Sequence, residues 1–152
     1  MEPSAPVGRL APSATLPPRR WWALALLCGA FFMVILDAAI VTVALPSIEQ
    51  DLGFTAQGLQ WVVSAYVLGY GGFLLLGGRA ADLLGRRRMF LISLGVFLVA
   101  SGLGGLTSDG GLLIATRFIK GVSAAFTAPA GLSIITTTFA EGPARNRALS
   151  IY

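Results

Sequence analysis

The chain has 152 residues, 55% of them hydrophobic and 12% charged, with a mean hydropathy of +0.78, a balance that a soluble domain of this size does not keep. One cysteine, Cys28, and no histidine exclude a disulfide framework, a Cys/His metal site and a His-based triad, so no enzymatic activity, metal or cofactor is expected. The net charge of +4 comes from short basic clusters between long apolar runs, a pattern of membrane topology signals and not of a nucleic-acid-binding face.

In chain order, residues 1–20 open with a Pro-, Ala- and Ser-rich stretch and read as a disordered cytoplasmic tail. The apolar run after Arg19-Arg20 is too long for the core of a signal peptide and contains an acid, so it reads as a retained first helix. A hydrocarbon core of about 30 Å takes about 20 apolar residues at 1.5 Å each. Windows of that length predict a transmembrane region over 21–152, with helices at 22–45, 59–76, 89–106 and 112–139. The first starts at the interfacial pair Trp21-Trp22 and is expected to stop at Pro46, ahead of Glu49-Gln50-Asp51. The fourth is long enough to tilt or to project from the membrane. After Glu141-Gly142-Pro143, the amphipathic segment from Arg145 approaches a fifth helix at 148–152, where the sequence reads as cut off. The fold class is therefore all-α integral membrane, with lipid as its surroundings.

Orientation follows from the Lys and Arg residues, because cytoplasmic connections carry the positive excess. Arg9, Arg19 and Arg20 precede helix 1, Arg79, Arg86, Arg87 and Arg88 lie between helices 2 and 3, and Arg145 and Arg147 follow helix 4. The alternate connections hold Glu49, Asp51 and Asp109 and no base. A multi-pass protein of the cell membrane with a cytoplasmic amino terminus is expected.

Three ionisable side chains fall inside the apolar spans: Asp37 in helix 1, and Arg117 and Lys120 in helix 4. A mid-membrane charge costs at least about 2.5 kcal/mol, so each is expected to face a cavity or a partner. Counted from the helix ends, Asp37 lies about 13 Å and Arg117 about 8 Å in from the same side, and the two could meet. A structural ion pair fixing helix 1 against helix 4 and a functional site are both open readings. Lys120, three residues on, shares a face with Arg117 and lies nearer the centre. Gly121, Ala125 and Pro129 continue that line at spacings of four, a small-residue stripe against which another helix can pack closely, and Pro129 permits a kink.

The connection from Gly77 to Arg88 is the most specific feature. A glycine turn with a positive-inside clamp accounts for Arg86, Arg87 and Arg88 but leaves Asp82 between Gly78 and Gly85 unexplained. It lacks the ending of a phosphate-binding loop and no strand precedes it.

The segment Gly78-x-x-x-Asp82-x-x-Gly85-Arg86-Arg87-Arg88 resembles the signature loop of the major facilitator superfamily, in the position where that family carries it. Leu36-Asp37-Ala38-Ala39-Ile40-Val41-Thr42-Val43-Ala44-Leu45-Pro46 is similar to the helix 1 motif of its 14-helix drug:proton antiporter branch, and Arg117 to Ala125 to its helix 4 motif. Leu83 departs from the usual base after the loop aspartate, so ion pairing there must rest on Arg79 or Arg86, and Lys120 stands where the family often has Gln. The resemblance implies helices 1–4 of two pseudosymmetric six-helix halves around a central cavity, with alternating access. It implies a proton-coupled secondary transporter for drug or antibiotic efflux, present as an amino-terminal fragment. It further implies that Asp37 binds protons or an amphipathic or cationic small molecule, that Arg117 modulates it, and that the Asp82 connection stabilises one conformation. A complete four-helix efflux protein working as an oligomer, a non-transporting membrane subunit and a transporter of sugars or metabolites remain alternatives.

Overall fold

The structure, a computed structural model, describes residues 18–139 and 141–152. The tail expected over 1–20 lies outside the described residues except for 18–20, which already belong to the first helix. All regular structure among the described residues is helical: α1 (Pro18–Leu52), α2 (Ala56–Leu84), α3 (Arg86–Leu106), α4 (Gly110–Thr138) and α5 (Pro143–Ile151). Four of them, α1 to α4, are long and apolar enough to cross a membrane.

Each helix outruns the apolar window that announced it, mostly because hydropathy marks where lipid lies while the helix ends where the backbone is broken. Pro46 does not end α1. A proline withdraws a single N–H from the ladder, and Ser47 to Leu52 contain no second breaker, so the helix runs on to Gly53, whose φ of 62° turns the chain. The start of α2 is set by Thr55, whose hydroxyl accepts the Gly58 N–H at 3.2 Å, three residues before the expected Leu59. The start of α4 is set in the same way by Asp109, which accepts the Leu112 N–H at 2.7 Å. At its far end α4 stops at Thr138, one residue short of the expected limit. Pro143 takes the first turn of α5, where its missing N–H costs nothing, so that helix begins five residues before the expected 148.

The expected loop between helices 2 and 3 is the largest correction. Residues Gly77 to Leu84 are the last two turns of α2, Arg86 to Arg88 are the first turn of α3, and the connection is Gly85 alone, at φ 94°. Arg79, Ala80, Ala81, Leu83 and Leu84 are good helix formers and no Gly or Pro interrupts them, so the helix has no local reason to stop earlier. At Gly85 the backbone enters a region that side chains disfavour, and there it breaks.

The centre of the bundle is α4, which packs most closely on α2 and next on α3, while α1 lies more loosely against both α2 and α4. The α2–α4 seam is made of backbone. Gly121 abuts the Tyr66 carbonyl, Gly69 the Phe118 carbonyl and Gly77 the Ala125 carbonyl, leaving no room for a Cβ at any of the three. Ala125 is itself fully buried. Its carbonyl is the one that Pro129, four residues on, leaves without a helical donor. Leu24, Leu27, Ala30, Ala81, Phe90, Ala130, Ile135, Phe139 and Ala148 form a core at the end that carries the arginines, and α5 closes it. There Tyr152 stacks on Phe31 at 4.9 Å and donates to the Ala128 carbonyl at 3.4 Å, and burial pushes its hydroxyl up to about 12.

Candidate functional site

The charged residues of the spans converge. Asp37 on α1 receives Arg117 Nη1 on Oδ2 at 2.7 Å and Lys120 Nζ on Oδ1 at 2.6 Å, so each carboxylate oxygen has its own cation. Only 11% of the Asp37 side chain is exposed, with 3% of Arg117 and 8% of Lys120. Helical spacing makes the cluster possible. Positions 117 and 120 lie one turn apart on the same face of α4, and that face is turned toward α1.

Arg117 is held from a second direction. Its Nε donates to the Val62 carbonyl of α2 at 3.3 Å, and its guanidinium carbon lies 4.6 Å from the centre of the Tyr66 ring. The Lys120 ammonium sits 5.9 Å from the Phe97 ring centre on α3. Phe97 packs with Val34 and Ala124, flanked by Tyr66 and Tyr70, so the three charges rest on an aromatic floor contributed by α2 and α3. All four long helices thus meet at the cluster.

A cleft of about 490 Å³ opens beside it between α1, α3 and α4. Asp37, Arg117 and Lys120 line it, together with Ser101 and, toward the α3–α4 connection, Thr107, Ser108 and Asp51. Its rim therefore belongs to the end of the bundle without bases. This is a recess of mixed polar and apolar lining, with its charges clustered at Asp37, Arg117 and Lys120, able to hold water or a small polar group against the carboxylate. No three His, Cys, Asp or Glu side chains converge as metal ligands would among the described residues.

The second expected constellation lies at the opposite end. Asp82 Oδ1 meets Arg86 Nη2 at 3.4 Å across the Gly85 break, with 62% and 38% of the two side chains exposed. Arg86 also donates through Nη1 to the Ser133 carbonyl at 3.5 Å, tying the α2–α3 junction to the last turns of α4. Of the two bases open to Asp82 on the sequence, Arg86 is the one that pairs with it. Arg87 is exposed, and Gly78 has open space where a Cβ would stand. The helix-packing residues Gly121 and Ala125 lie in the α2–α4 seam, while Pro129 is half-buried one turn further on.

Lys120 is expected from the sequence on the face of Arg117, its spacing of three being the signal, but its pairing with the same carboxylate is not. The Val62 carbonyl and Tyr66 ring carry no signal, since a backbone oxygen and an aromatic face become ligands only through packing.

A model of the Major Facilitator Superfamily matches residues 27–152. A puromycin resistance protein of Streptomyces alboniger is 47% identical over 135 residues, covering 89% of this chain and 27% of the relative. A cephamycin export protein of Amycolatopsis lactamdurans is 51% identical over 129 residues, 85% of this chain and 26% of the relative. A methylenomycin A resistance protein of Bacillus subtilis (strain 168) is 34% identical over 129 residues, 85% of this chain and 28% of the relative. The chain spans about a quarter of the length of these relatives. Since the family match takes in the charged cluster and the α2–α3 junction alike, the chain is a multi-pass membrane protein belonging to the Major Facilitator Superfamily of transporters.

Proposed function

We propose that this chain forms the first helices of a longer proton-coupled antiporter that exports amphipathic or cationic drug-like compounds, with its amino terminus in the cytoplasm. The observation that carries this reading is the Asp37 carboxylate, buried within the spans, bonded to two cations and open to the cleft. A carboxylate so placed is costly to leave unpaired, so any rearrangement that parts α1 from α4 changes what it binds, proton or cation. Arg117 sets the balance by holding the other oxygen of the same carboxylate. Relatives named for puromycin resistance and cephamycin export support the efflux class, and their roughly fourfold greater length favours a longer transporter over a four-helix oligomer.

Orientation rests on the bases, which gather at the α2–α3 junction and on α5, while Glu49, Asp51 and Asp109 mark the other end. In this reading the Asp82–Arg86 pair and Gly85 stabilise one conformation at the cytoplasmic side.

The test is ethidium and puromycin accumulation in inside-out membrane vesicles containing the full-length protein, with an imposed pH difference. The parent accumulates substrate against its gradient, whereas Asp37→Asn, compared at equal folded protein, loses uphill transport and keeps downhill exchange. Asp37→Glu retains partial activity. Undiminished pH-driven accumulation by Asp37→Asn would reduce the cluster to a structural ion pair.

A further inference from the structure

The cluster holds two cations and one carboxylate, and that count decides where an exchangeable proton can sit. If the proton rode on Asp37, loading it would leave two buried cations with no counter-charge, and binding a cationic substrate beside an ionised Asp37 would leave the same excess. If it rides on Lys120, the unloaded cluster is an ionised Asp37 with Arg117, electrically neutral. Either load, the Lys120 proton or a substrate cation, then adds one positive charge. The second scheme keeps one fewer uncompensated charge in an apolar span at every stage.

The geometry separates the two cations in the way this scheme requires. Arg117 is pinned by the Val62 carbonyl and the Tyr66 ring, and a guanidinium is not a group that yields its proton in proteins. Among the described residues Lys120 makes one hydrogen bond, to Asp37 Oδ1, and an ammonium, unlike a guanidinium, can give up a proton. Its ammonium also lines the cleft, so a proton it releases has water to go to and an arriving cation has room to take its place on Oδ1. Among the described residues the charged and titratable groups around it are few. They are Asp37 and, farther along the cleft, Asp51 from α1, Tyr66 and Tyr70 from α2, and Arg117 on its own helix, while α3 presents the Phe97 ring.

We infer that Lys120 carries the exchanged proton, and that its ammonium and a cationic substrate take turns at the same oxygen of Asp37. In each exchange the Lys120 ammonium loses one proton to water in the cleft and becomes an amine, the substrate cation pairs with Asp37, and the reverse reprotonates Lys120. Proton and substrate exclude each other directly, as antiport demands. The inference rests on the transport reading above and names the group within that site.

The experiment measures ethidium binding to the purified full-length protein in weakly buffered detergent solution, with a pH indicator present. The parent should release about one proton per ethidium bound, and its affinity should weaken about tenfold per pH unit of acidification where exchange is complete. Lys120→Gln should bind ethidium with no proton release and no pH dependence. Lys120→Arg, which cannot yield its proton, should bind at least tenfold more weakly than the parent at every pH. Proton release persisting in Lys120→Gln, or parent-like affinity in Lys120→Arg, overturns the assignment to Lys120 while leaving antiport intact. Failure of the parent to move ethidium and puromycin in response to a pH difference refutes the transport reading instead, and a parent that binds ethidium without releasing a proton overturns the exchange.

Discussion

Among the described residues three carboxylates are paired with bases, and two of them, Asp37 and Asp82, sit in opposite surroundings. Asp37 is held by two cations at 2.6 and 2.7 Å with about a tenth of its side chain exposed, while Asp82 meets one arginine at 3.4 Å with most of its side chain in the open. Water already solvates Asp82, so its ion pair gains little and organises the break at Gly85 more than it stabilises the fold. Asp37 is largely shut off from water, and its two cations take over most of the solvation that water gives Asp82. The same chemistry is therefore a local brace at one end of α2 and a structural and electrical necessity in the middle of the bundle.

Removing the acids separates the two most widely. Asp37→Ala leaves Arg117 and Lys120 facing no carboxylate and should cost about 3–5 kcal/mol, whereas Asp82→Ala should stay within about 1 kcal/mol of the parent. Denaturant or thermal unfolding in detergent micelles measures both, and similar losses for the two variants would erase the distinction.

A smaller contrast sharpens it at adjacent glycines near the junction. Gly77 abuts the Ala125 carbonyl and Gly78 faces open space. Gly77→Ala should therefore destabilise by about 1–3 kcal/mol through overpacking. Gly78→Ala should instead stabilise by up to about 1 kcal/mol, because alanine is the better helix former and nothing stands in its way. The same unfolding measurement decides, and a loss at Gly78 equal to that at Gly77 would mean that the α2–α4 seam is wider than the backbone contacts describe.

Salt has the smallest effect. Between about 0.1 and 1 M NaCl the Debye length shrinks from about 10 to about 3 Å. Whatever stability Asp82 contributes should fade over that range, so that Asp82→Ala and parent become indistinguishable. The gap between parent and Asp37→Ala should persist, because salt screens a largely buried ion pair far less than an exposed one.

Much of this was legible from residue order. Four apolar runs of spanning length, the alternation of basic and acidic connections, and three motifs in sequence were enough to anticipate four membrane helices of a transporter family, because lipid imposes length and composition directly on each segment. The depths of Asp37 and Arg117 made their meeting foreseeable, since position along a helix converts into distance at a fixed rise. Helix ends were less accessible: Pro46 was read as a stop and Gly77 to Arg88 as a loop, although one proline removes only one hydrogen bond and only Gly85 leaves the helical backbone.

What the tertiary structure decided was which way faces turn and what they meet. Order along α4 placed Lys120 beside Arg117 but could not say that both cations would claim one carboxylate, because that depends on the rotation of α4 against α1. Nor could it single out Gly69, Gly77 and Gly121 from the other glycines as the positions where two backbones touch. Composition and periodicity report what each segment needs from its solvent, whereas partnership between segments is a property of packing, and the Asp37 cluster exists only there.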